Sequence, residues 1–412
     1  MKKKNILLIC DLFPPAFGPR MGYLCKYLKG TEWQATVFTE QINDQTFSFL
    51  EGNCPVTYVN FYDARFSFMQ RIQWLWTFLS GRKERKMYKE ISKRIEGQSF
   101  DLVLCSTYRT FPLTVAARLA KEKGLPLVAD LRDIIEQYTG TEFISHALPS
   151  LGGLEKIIAN SFKKKSLECR NRVLKEAACI TTVSPWHVET LKSYNPNTHL
   201  IYNGFDPELF KAERYKTPQF IITYTGRLLS TAMRDPSLLL QALAWLQKKG
   251  KLSANDCRVQ WYVDPQSKAI IEAEAAKAGV SHFMDYKGYV PASQVPDILN
   301  HSSILLLLTN RSTGDGPKGV MTTKFFESLA IEKPILCVRS DEGCLAEALK
   351  ESNAGLAACT VEETARFIEE YYQEWEEKGY TTSAIDKNVL RNYSRQGQAQ
   401  QFIHIFDTVI KD

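Results

Sequence analysis

The sequence lacks the cysteine and histidine patterns of metal-binding and disulfide-rich proteins. Its ten cysteines are scattered singly from Cys10 to Cys359, and none lies in a C-x-x-C pair or beside histidines at metal-ligand spacing. Only six histidines occur in the 412 residues. The pattern therefore predicts reduced thiols, no metal site and no disulfide framework.

Long hydrophobic runs are also missing. The longest purely aliphatic stretch is 304–308, whereas a spanning helix needs about 20 apolar residues. The basic start of the chain is followed by only a short apolar run before Asp11, which does not fit a secretory signal peptide. We predict a cytoplasmic protein, with the inner face of the cytoplasmic membrane as the alternative location.

The charge balance lacks a strong excess of either sign. Lys and Arg number 52 against 46 Asp and Glu, so the net charge of +6 is a mild basic bias and does not indicate a nucleic-acid-binding protein. With 44% apolar and 24% charged residues, the composition is that of a globular protein, and the length corresponds to two or three domains. Anionic small ligands and a membrane surface both fit this bias.

Short aliphatic runs alternate with longer amphipathic stretches, which predicts βαβ units around parallel sheets. In the first half the predicted strands are 5–10, 34–38, 55–59, 102–105, 127–129, 179–183 and 200–202. In the second half, strands at 220–224, 259–263, 303–308, 334–338 and 355–358 interleave with helices at 237–249, 265–278, 322–330 and 361–376. The expected fold is α/β, with two doubly wound parallel-sheet domains.

A polar segment ending in proline, 211–218, predicts the domain boundary. We assign the N-terminal domain to residues 1–210 and the C-terminal domain to 211–390. The tail 391–412 carries apolar residues at helical spacing and is predicted to be a helix that packs on one of the two domains, the first being one option.

The strongest local feature follows the predicted strand that ends near Thr225. Gly226 would let an anion approach the backbone, and Arg227 and Arg234 would supply bidentate donors to phosphate oxygens. Asp235 is a natural N-cap, because Pro236 suits the first turn of a helix. The alternative is that both arginines are solvated surface charges.

A second feature is the glycine-rich stretch 313–321 and the helix after it. The first turn of this helix holds Thr322, Thr323 and Lys324, where free N–H groups and a cation form an anion site. Glu327 lies on the same helical face as Lys324, three residues later. A cation for phosphate and a carboxylate for ribose hydroxyls would suit a nucleoside diphosphate. The alternative is a surface salt bridge between Lys324 and Glu327.

Together with four segments of the first half, these motifs resemble the retaining glycosyltransferases of family 4. The segments are Asp11–Arg20 after the first strand, the D-x-R-D run Asp130–Asp133, the T-V-S-P run Thr182–Pro185 and the N-G-F-D element within Ile201–Asp206. The resemblance covers essentially the whole chain. It implies the GT-B fold, in which two Rossmann-like domains face each other across a cleft, with an acceptor domain first and a nucleotide-sugar donor domain second.

The resemblance implies roles for named residues of the donor domain. Arg227, Arg234 and Lys324 would bind the donor diphosphate, and Glu327 would hold the ribose. Many family members have a glutamate eight positions before the matching Glu327, where this chain has Gly319. Asp315 is an alternative contact for the donor sugar.

Candidates in the acceptor domain come from three segments. Gly18 and Arg20 lie in the loop that the resemblance places near the donor phosphates and the acceptor, and Asp133 lies in the D-x-R-D run. The region 105–112 has no histidine, although a histidine often contacts the donor sugar in this family. Arg109 and Thr110 are candidates there, with ordinary loop residues as the alternative. His187 is predicted to be a surface residue at a helix start.

The resemblance also implies the chemistry. Arginine, lysine and helix N-termini would carry the charge of the leaving diphosphate, so no cofactor and no metal are expected, with the nucleoside-diphosphate-sugar as co-substrate. Retention without a side-chain nucleophile is expected, with a saccharide or lipid-linked acceptor in surface polysaccharide or glycan biosynthesis. Two alternatives are a nucleotide-sugar 2-epimerase of the same architecture, disfavoured by the few histidines, and a catalytically inactive nucleotide-sugar-binding protein.

The run Arg65–Arg94 mixes aromatic and basic residues with few acids, and 163–172 holds a second basic cluster. Interleaved aromatics and cations are typical of a helix that contacts anionic headgroups, so peripheral membrane contact is one interpretation. The alternative is a core-facing aromatic stripe with a solvated basic face.

Overall fold

The computed structural model describes residues 3–61, 80–138, 154–309, 319–339 and 343–411. The chain divides into two compact units. The first comprises the described residues up to Tyr202 together with those from Gln398 onward, and the second runs from Asn203 to Gly397.

The described part of the first unit is built on a seven-stranded parallel sheet of order β3-β2-β1-β4-β5-β6-β7. Its strands are β1 (Lys4–Cys10), β2 (Trp33–Glu40), β3 (Val56–Val59), β4 (Leu102–Thr107), β5 (Leu127–Leu131), β6 (Cys179–Thr182) and β7 (Thr198–Leu200). Its helices are α1 (Pro19–Leu28), α2 (Arg82–Arg94), α3 (Leu113–Lys123), α4 (Leu154–Glu176) and α5 (Pro185–Lys192), with short 3-10 turns at Ser48–Leu50 and Ile135–Gln137.

The second unit has six parallel strands among its described residues, in the order β10-β9-β8-β11-β12-β13. They are β8 (Phe220–Thr225), β9 (Cys257–Tyr262), β10 (Met284–Tyr286), β11 (Ile304–Leu308), β12 (Ile335–Val338) and β13 (Gly355–Ala358). The helices are α6 (Ser237–Lys248), α7 (Pro265–Ala278), α8 (Val295–Asn300), α9 (Thr323–Ile331), α10 (Cys344–Glu351), α11 (Val361–Lys378) and α12 (Lys387–Asn392), with 3-10 turns at Ser281–Phe283 and Ala292–Gln294.

The predicted fold class is confirmed, because both sheets are parallel and helices alternate with strands. Every predicted strand has a counterpart, with ends that differ by a few residues. The sequence did not reveal β10, which is only three residues long, or the short helix α10, which has eight. Elements this short carry too few residues for a periodicity to appear.

Each sheet is buried on both faces, as expected of a doubly wound fold. In β1, Leu7 and Ile9 pack into one core cluster of the first unit, while Ile6 and Leu8 pack into the other. The second of these clusters is completed from the far end of the chain by α13 (Arg395–Val409). No helix among the described residues is both long enough and apolar enough to span a bilayer.

Candidate functional site

In each sheet one pair of neighbouring strands is followed by connections that leave in opposite directions. The pair is β1 and β4 in the first unit and β8 and β11 in the second. Ligands of doubly wound folds bind beside the carboxyl ends of such strands, where the diverging connections leave a crevice. The sequence-predicted site residues cluster at these two places, one in each unit.

Gly226 follows β8 and makes close contact with Lys324 at the start of α9. A Cβ atom added to Gly226 would lie 2.5 Å from Cε and 2.8 Å from Nζ of Lys324. The backbone of Gly226 also has φ of +114°, a conformation that favours glycine. The positive φ therefore favours glycine here, and the lysine side chain lies directly against the end of the strand. The Lys324 ammonium is also 5.7 Å from the ring centroid of Tyr224.

Lys324 and Glu327 are both half-buried on one face of α9. The structure contradicts the alternative of a salt bridge, because neither side chain has an ion-pair or hydrogen-bond partner among the residues that it describes. Burial lowers the pKa of Lys324 to about 8, and the charge of Arg234 also lowers it, against the opposing effect of Glu327. Burial raises the pKa of Glu327 to about 7, against the charges of Lys324 and Arg395. Both groups are therefore held available without a protein partner.

The two arginines after β8 complete a group of three cations. The Arg227 side chain is 64% exposed, and its Nε lies 3.7 Å from Oδ2 of Asp264. Arg234 donates from Nη1 to the carbonyl of Arg227 at 2.7 Å, which ties the two residues into one loop. Since the charge of Arg234 lowers the pKa of Lys324, the structure brings Gly226, both arginines and Lys324 together. The exposure of Arg227 leaves its guanidinium open to a ligand.

The start of α9 presents free backbone donors beside these cations. Thr322 is the N-cap, with extended backbone at φ −67° and ψ 140°, but its side chain makes no capping hydrogen bond. Thr323 begins the helix and is half-buried. The first N–H groups of a helix have no intrahelical acceptor and favour anions. This helix start therefore has the geometry that the predicted anion site requires.

The predicted cap of α6 needs correction. Its N-cap is Pro236 rather than Asp235, and the helix begins at Ser237. Asp235 still accepts a hydrogen bond from the Ser237 N–H at 2.9 Å, and it forms an ion pair with Arg339 at 2.5 Å. Because Pro236 has no N–H to donate, the first amide that the carboxylate can reach is that of the next residue.

Two further predicted positions lie in the loop before α9. Asp315 lies outside the described residues. Gly319 has φ of +63°, in the left-handed region where glycine is favoured. This backbone conformation gives a physical reason for glycine at the position where many relatives carry a glutamate.

In the first unit, Gly18 and Arg20 serve the structure of the loop itself. A Cβ on Gly18 would lie 2.6 Å from the carbonyl oxygen of Leu12, so the glycine permits close backbone packing. Arg20 is only 2% exposed, and its guanidinium pairs with Asp130, the closest contact being 2.8 Å. Asp130 also accepts from Ser106 Oγ and Thr181 Oγ1 at 2.7 Å. This burial argues against the predicted substrate contact of Arg20.

The remaining candidates follow β4 and β5. Thr110 donates its hydroxyl to the carbonyl of Ser166 at 3.1 Å, which occupies the side chain and argues against a ligand role. Arg109 is half-buried and lies over the Tyr108 ring, with its Cζ 4.4 Å from the centroid. Asp133 is half-buried and accepts from Gln137 Nε2 at 3.0 Å. Arg109 and Asp133 thus remain candidates.

Sequence reasoning missed the ion pair that organises this end of the first sheet. Asp11, at the end of β1, binds the Arg132 guanidinium and also accepts from Thr107 Oγ1 at 3.0 Å. Both residues stood in recognised motifs, but only the strand order shows that the loops after β1 and β5 meet. The prediction that His187 is a surface residue was wrong. It begins α5 as expected but is 1% exposed, and its Nε2 lies 2.8 Å from Gln137 Oε1.

The described residues contain no group of three histidine, cysteine or acidic side chains placed to bind one metal ion. The cations and the helix start are instead arranged around a place for an anion.

Comparison with known proteins places this geometry in context. Residues 17–204 match the family model of the glycosyl transferase 4-like domain. No curated protein matches the chain significantly. Among solved structures, HepE of Anabaena in complex with UDP is 15% identical, with a TM-score of 0.67 and coverage of 99% of this chain and 100% of that one.

Two other solved structures show the same fold over the full length. Sucrose-phosphate synthase of Thermosynechococcus elongatus is 13% identical, with a TM-score of 0.63 and coverage of 99% of this chain and 100% of that one. A glycosyltransferase of Rickettsia africae is 14% identical, with a TM-score of 0.63 and coverage of 100% of both chains. The predicted resemblance and the predicted enzyme class are confirmed: residues 17–204 match the glycosyl transferase 4-like domain, and the chain has the GT-B fold of these solved glycosyltransferases.

Proposed function

We propose that this enzyme transfers a hexose-type sugar from a nucleoside-diphosphate-sugar to a saccharide or lipid-linked acceptor, with retention at the anomeric carbon. The observation that carries the proposal is the ammonium of Lys324, which lies against Gly226 at the start of α9 and has no partner among the described residues. A cation kept half-buried without a protein counterion costs stability, and a bound diphosphate would offset that cost. The structural relative HepE is described in complex with UDP, UDP with glucose, and UDP-glucose, which supports such a donor.

The proposed chemistry rests on charge stabilisation. As the bond to the sugar breaks, negative charge grows on the departing diphosphate. Lys324, Arg227, Arg234 and the first N–H groups of α9 would stabilise that charge, and preorganised donors of this kind contribute strongly to catalysis. The leaving diphosphate would assist the incoming hydroxyl, so no side-chain nucleophile is needed. Glu327, one turn along the same helix face, would accept hydrogen bonds from two ribose hydroxyls.

The test compares Lys324→Ala and Arg227→Ala with a matched control, Lys277→Ala. Lys277 lies in the same unit on α7, where its side chain is 71% exposed and pairs only with Glu274. Turnover with UDP-glucose as the first donor probe should fall by about two to three orders of magnitude in Lys324→Ala, as for other lost transition-state donors. Lys277→Ala should keep wild-type turnover. Near-normal turnover in both site variants would refute the proposed site.

A second measurement addresses the remaining alternatives. If the donor is bound but neither hydrolysed nor transferred to any acceptor in a panel of saccharides and lipid-linked saccharides, a nucleotide-sugar-binding role replaces the proposed one. Release of an epimerised nucleotide-sugar would indicate the 2-epimerase. Product with inverted anomeric configuration in the NMR spectrum would contradict retention.

We further propose that transfer needs no divalent metal, because the cations of the site can carry the diphosphate charge. Exhaustive EDTA treatment should leave turnover unchanged. Loss of activity with EDTA that Mn²⁺ restores would overturn this part of the proposal.

We also propose peripheral membrane contact through the run 65–94, consistent with a lipid-linked acceptor. Residues 62–79 lie outside the described part, so the aromatic half of this run is not covered by the structure. In the described half, α2 buries Met87 and Ile91 in the core, Lys83 pairs with Glu40, and most of the other basic residues are exposed. The exposed ones are Arg82, Arg85, Lys89, Lys93 and Arg94.

The described half of the run is a helix with an apolar face in the core and a solvated basic face, and that basic face can still bind anionic headgroups. Flotation with vesicles containing phosphatidylglycerol should recover the wild type, and Arg85→Glu with Lys89→Glu should reduce recovery. Equal recovery with neutral phosphatidylcholine vesicles, or none with either, would contradict the contact.

A further inference from the structure

A second cluster of charged and aromatic side chains lies at the carboxyl end of the first sheet. Tyr108, just after β4, has two guanidinium groups over its ring, with Cζ of Arg109 at 4.4 Å and Cζ of Arg132 at 5.5 Å from the centroid. Arg132 follows β5 and is paired with Asp11, which follows β1. Three neighbouring strands thus deliver this cluster to one place, as the strand order requires.

Arg109 is the cation of this cluster that has no counterion. Its side chain makes no ion pair or hydrogen bond with any residue that the structure describes, and its Nε is buried without a partner. Asp11 cannot neutralise it, because that carboxylate is committed to Arg132, to Thr107 Oγ1 at 3.0 Å and to the Tyr108 N–H at 3.3 Å. Buried polar groups are nearly always satisfied, so the buried Nε of Arg109 indicates a missing hydrogen-bond acceptor.

The conformation of Arg109 is fixed by its surroundings. Its backbone N–H donates to Thr107 Oγ1 at 3.0 Å, and its side chain packs on the Tyr108 ring. Stacking on an aromatic face holds a guanidinium in one plane and leaves its edge free for an anion. The group is therefore preorganised for a bidentate contact with a carboxylate or a phosphate.

Asp133 borders the same cluster. Asp133 accepts one hydrogen bond, from Gln137 Nε2 at 3.0 Å, and has no ion pair in the described structure. Asp133 directly follows Arg132, whose Cζ lies 5.5 Å from the centroid of the Tyr108 ring on which Arg109 also packs. Although Arg109 and Asp133 have opposite charges, they do not pair with each other. Both side chains are therefore available to bind one ligand that carries an anionic group and hydroxyl groups.

We infer that Arg109 and Asp133 form an acceptor subsite for a saccharide that carries an oxyanion. The guanidinium of Arg109 binds the carboxylate or phosphate of the sugar. The carboxylate of Asp133 accepts a hydrogen bond from a hydroxyl of the same sugar, and Tyr108 supplies an aromatic surface beside it. This inference rests on the proposed function, because only a transferase has an acceptor substrate. The residues that form the subsite all belong to the first unit.

The experiment measures binding to the full-length protein by saturation-transfer NMR titration. The probes are methyl glucoside as the neutral sugar, glucuronate as the carboxylate and glucose 6-phosphate as the phosphate. Arg109→Gln is compared with Arg118→Gln, since Arg118 lies on α3 in the same unit, is 58% exposed and pairs with Glu122. The wild type should bind at least one anionic sugar about tenfold more tightly than methyl glucoside, as a charge-assisted contact provides.

Arg109→Gln should abolish this preference, and Arg118→Gln should keep it. Asp133→Asn should weaken binding of the neutral and anionic sugars alike. Tighter binding of glucuronate than of glucose 6-phosphate would assign a carboxylate acceptor, and the reverse order a phosphorylated one. Equal affinity for charged and neutral sugars in the wild type, an anion preference that survives Arg109→Gln, or no binding of any probe would overturn the inference.

UDP binding, followed in the same samples, separates this inference from the proposed function. If UDP binds normally to Arg109→Gln while the anion preference is lost, both stand. If UDP does not bind the wild type and the Arg109-dependent preference is present, the donor assignment fails and this subsite stands. Normal UDP binding without an anion preference leaves the donor site and removes the subsite.

Discussion

Two pairs of opposite charges, one in each unit, differ in how the fold treats them. Arg20 and Asp130 in the first unit are 2% and 0% exposed and are joined directly, with further hydrogen bonds to Asp130 from two hydroxyl groups. Lys324 and Glu327 in the second unit are half-buried on one helix face and have no partner among the described residues. We call the first pair saturated, because the protein supplies its ion-pair and hydrogen-bond partners. We call the second pair unsaturated, because the described residues supply none.

The difference separates charges that stabilise the fold from charges that we propose bind a ligand. A buried charge must be paired and hydrogen-bonded, because the protein interior does not replace its lost hydration. Where the protein supplies every partner, as around Asp130, nothing remains for a substrate. Where it supplies none, as for Lys324, the cost persists until a ligand binds. In sequence motifs both kinds of residue look alike.

The largest expected effect comes from breaking the saturated pair. Asp130→Asn would leave the Arg20 guanidinium buried without its counterion, and such changes typically cost about 3–5 kcal/mol of stability. The midpoint of chemical unfolding, followed by circular dichroism, should therefore fall strongly. Glu122→Gln, which removes an exposed pairing with Arg118, should leave the midpoint nearly unchanged. Equal midpoints for Asp130→Asn and the wild type would contradict the structural role.

Gly226→Ala tests the contact on which the unsaturated pair depends. The new Cβ would meet Lys324 at 2.5 Å, and φ of +114° strains any other residue, so stability should fall by about 1–3 kcal/mol and turnover by at least about tenfold. Gly250→Ala is the matched control, because it has φ of +67° with no atom within 4 Å of the added Cβ. It should lose some stability by backbone strain but keep full turnover. If Gly250→Ala lost as much turnover as Gly226→Ala, backbone strain rather than the contact with Lys324 would explain the loss.

The pH dependence of kcat/KM for the donor should follow the unsaturated pair. Glu327, with its pKa raised to about 7, loses its carboxylate as the pH falls below about 7. Lys324, with its pKa lowered to about 8, loses its charge as the pH rises above about 8. A bell-shaped profile with its maximum between these values is expected, since free-enzyme groups govern kcat/KM. Lys324→Arg should extend the alkaline limb, and an unchanged limb in that variant would assign the titration elsewhere.

The smallest effects concern two threonines. Thr322 makes no capping hydrogen bond, so Thr322→Val should change stability by less than about 0.5 kcal/mol. Thr110→Val removes the hydrogen bond to Ser166 and should cost about 1 kcal/mol. Donor KM should rise a few-fold only in the first variant. The reverse pattern would exchange the ligand-binding and structural assignments of the two hydroxyls.

The sequence predicted the two-sheet fold well, because buried parallel strands appear as continuous aliphatic runs, as in 304–308. The family resemblance also assigned Arg227 and Lys324 to one diphosphate site, and the strand order supplies the physical reason, since loops after the neighbouring strands β8 and β11 meet at one edge of the sheet. The sequence could not distinguish Arg20 from Arg109, which are both arginines in loops after strands. Only three-dimensional contacts show that the first has Asp130 and the second has no counterion.

The C-terminal helix α13 links the two ends of the chain. Phe402 and Phe406 pack into the core of the first unit, the Phe406 ring lies 5.4 Å from that of Trp33, and Asp407 pairs with Lys4 at 2.6 Å. On a ribosome these residues are made after the whole of the second unit. The first unit must therefore wait with part of its hydrophobic core open while the second unit, whose residues are contiguous, can fold completely. We therefore expect the second unit to complete its core before the first, the reverse of the order in which their first residues are synthesised.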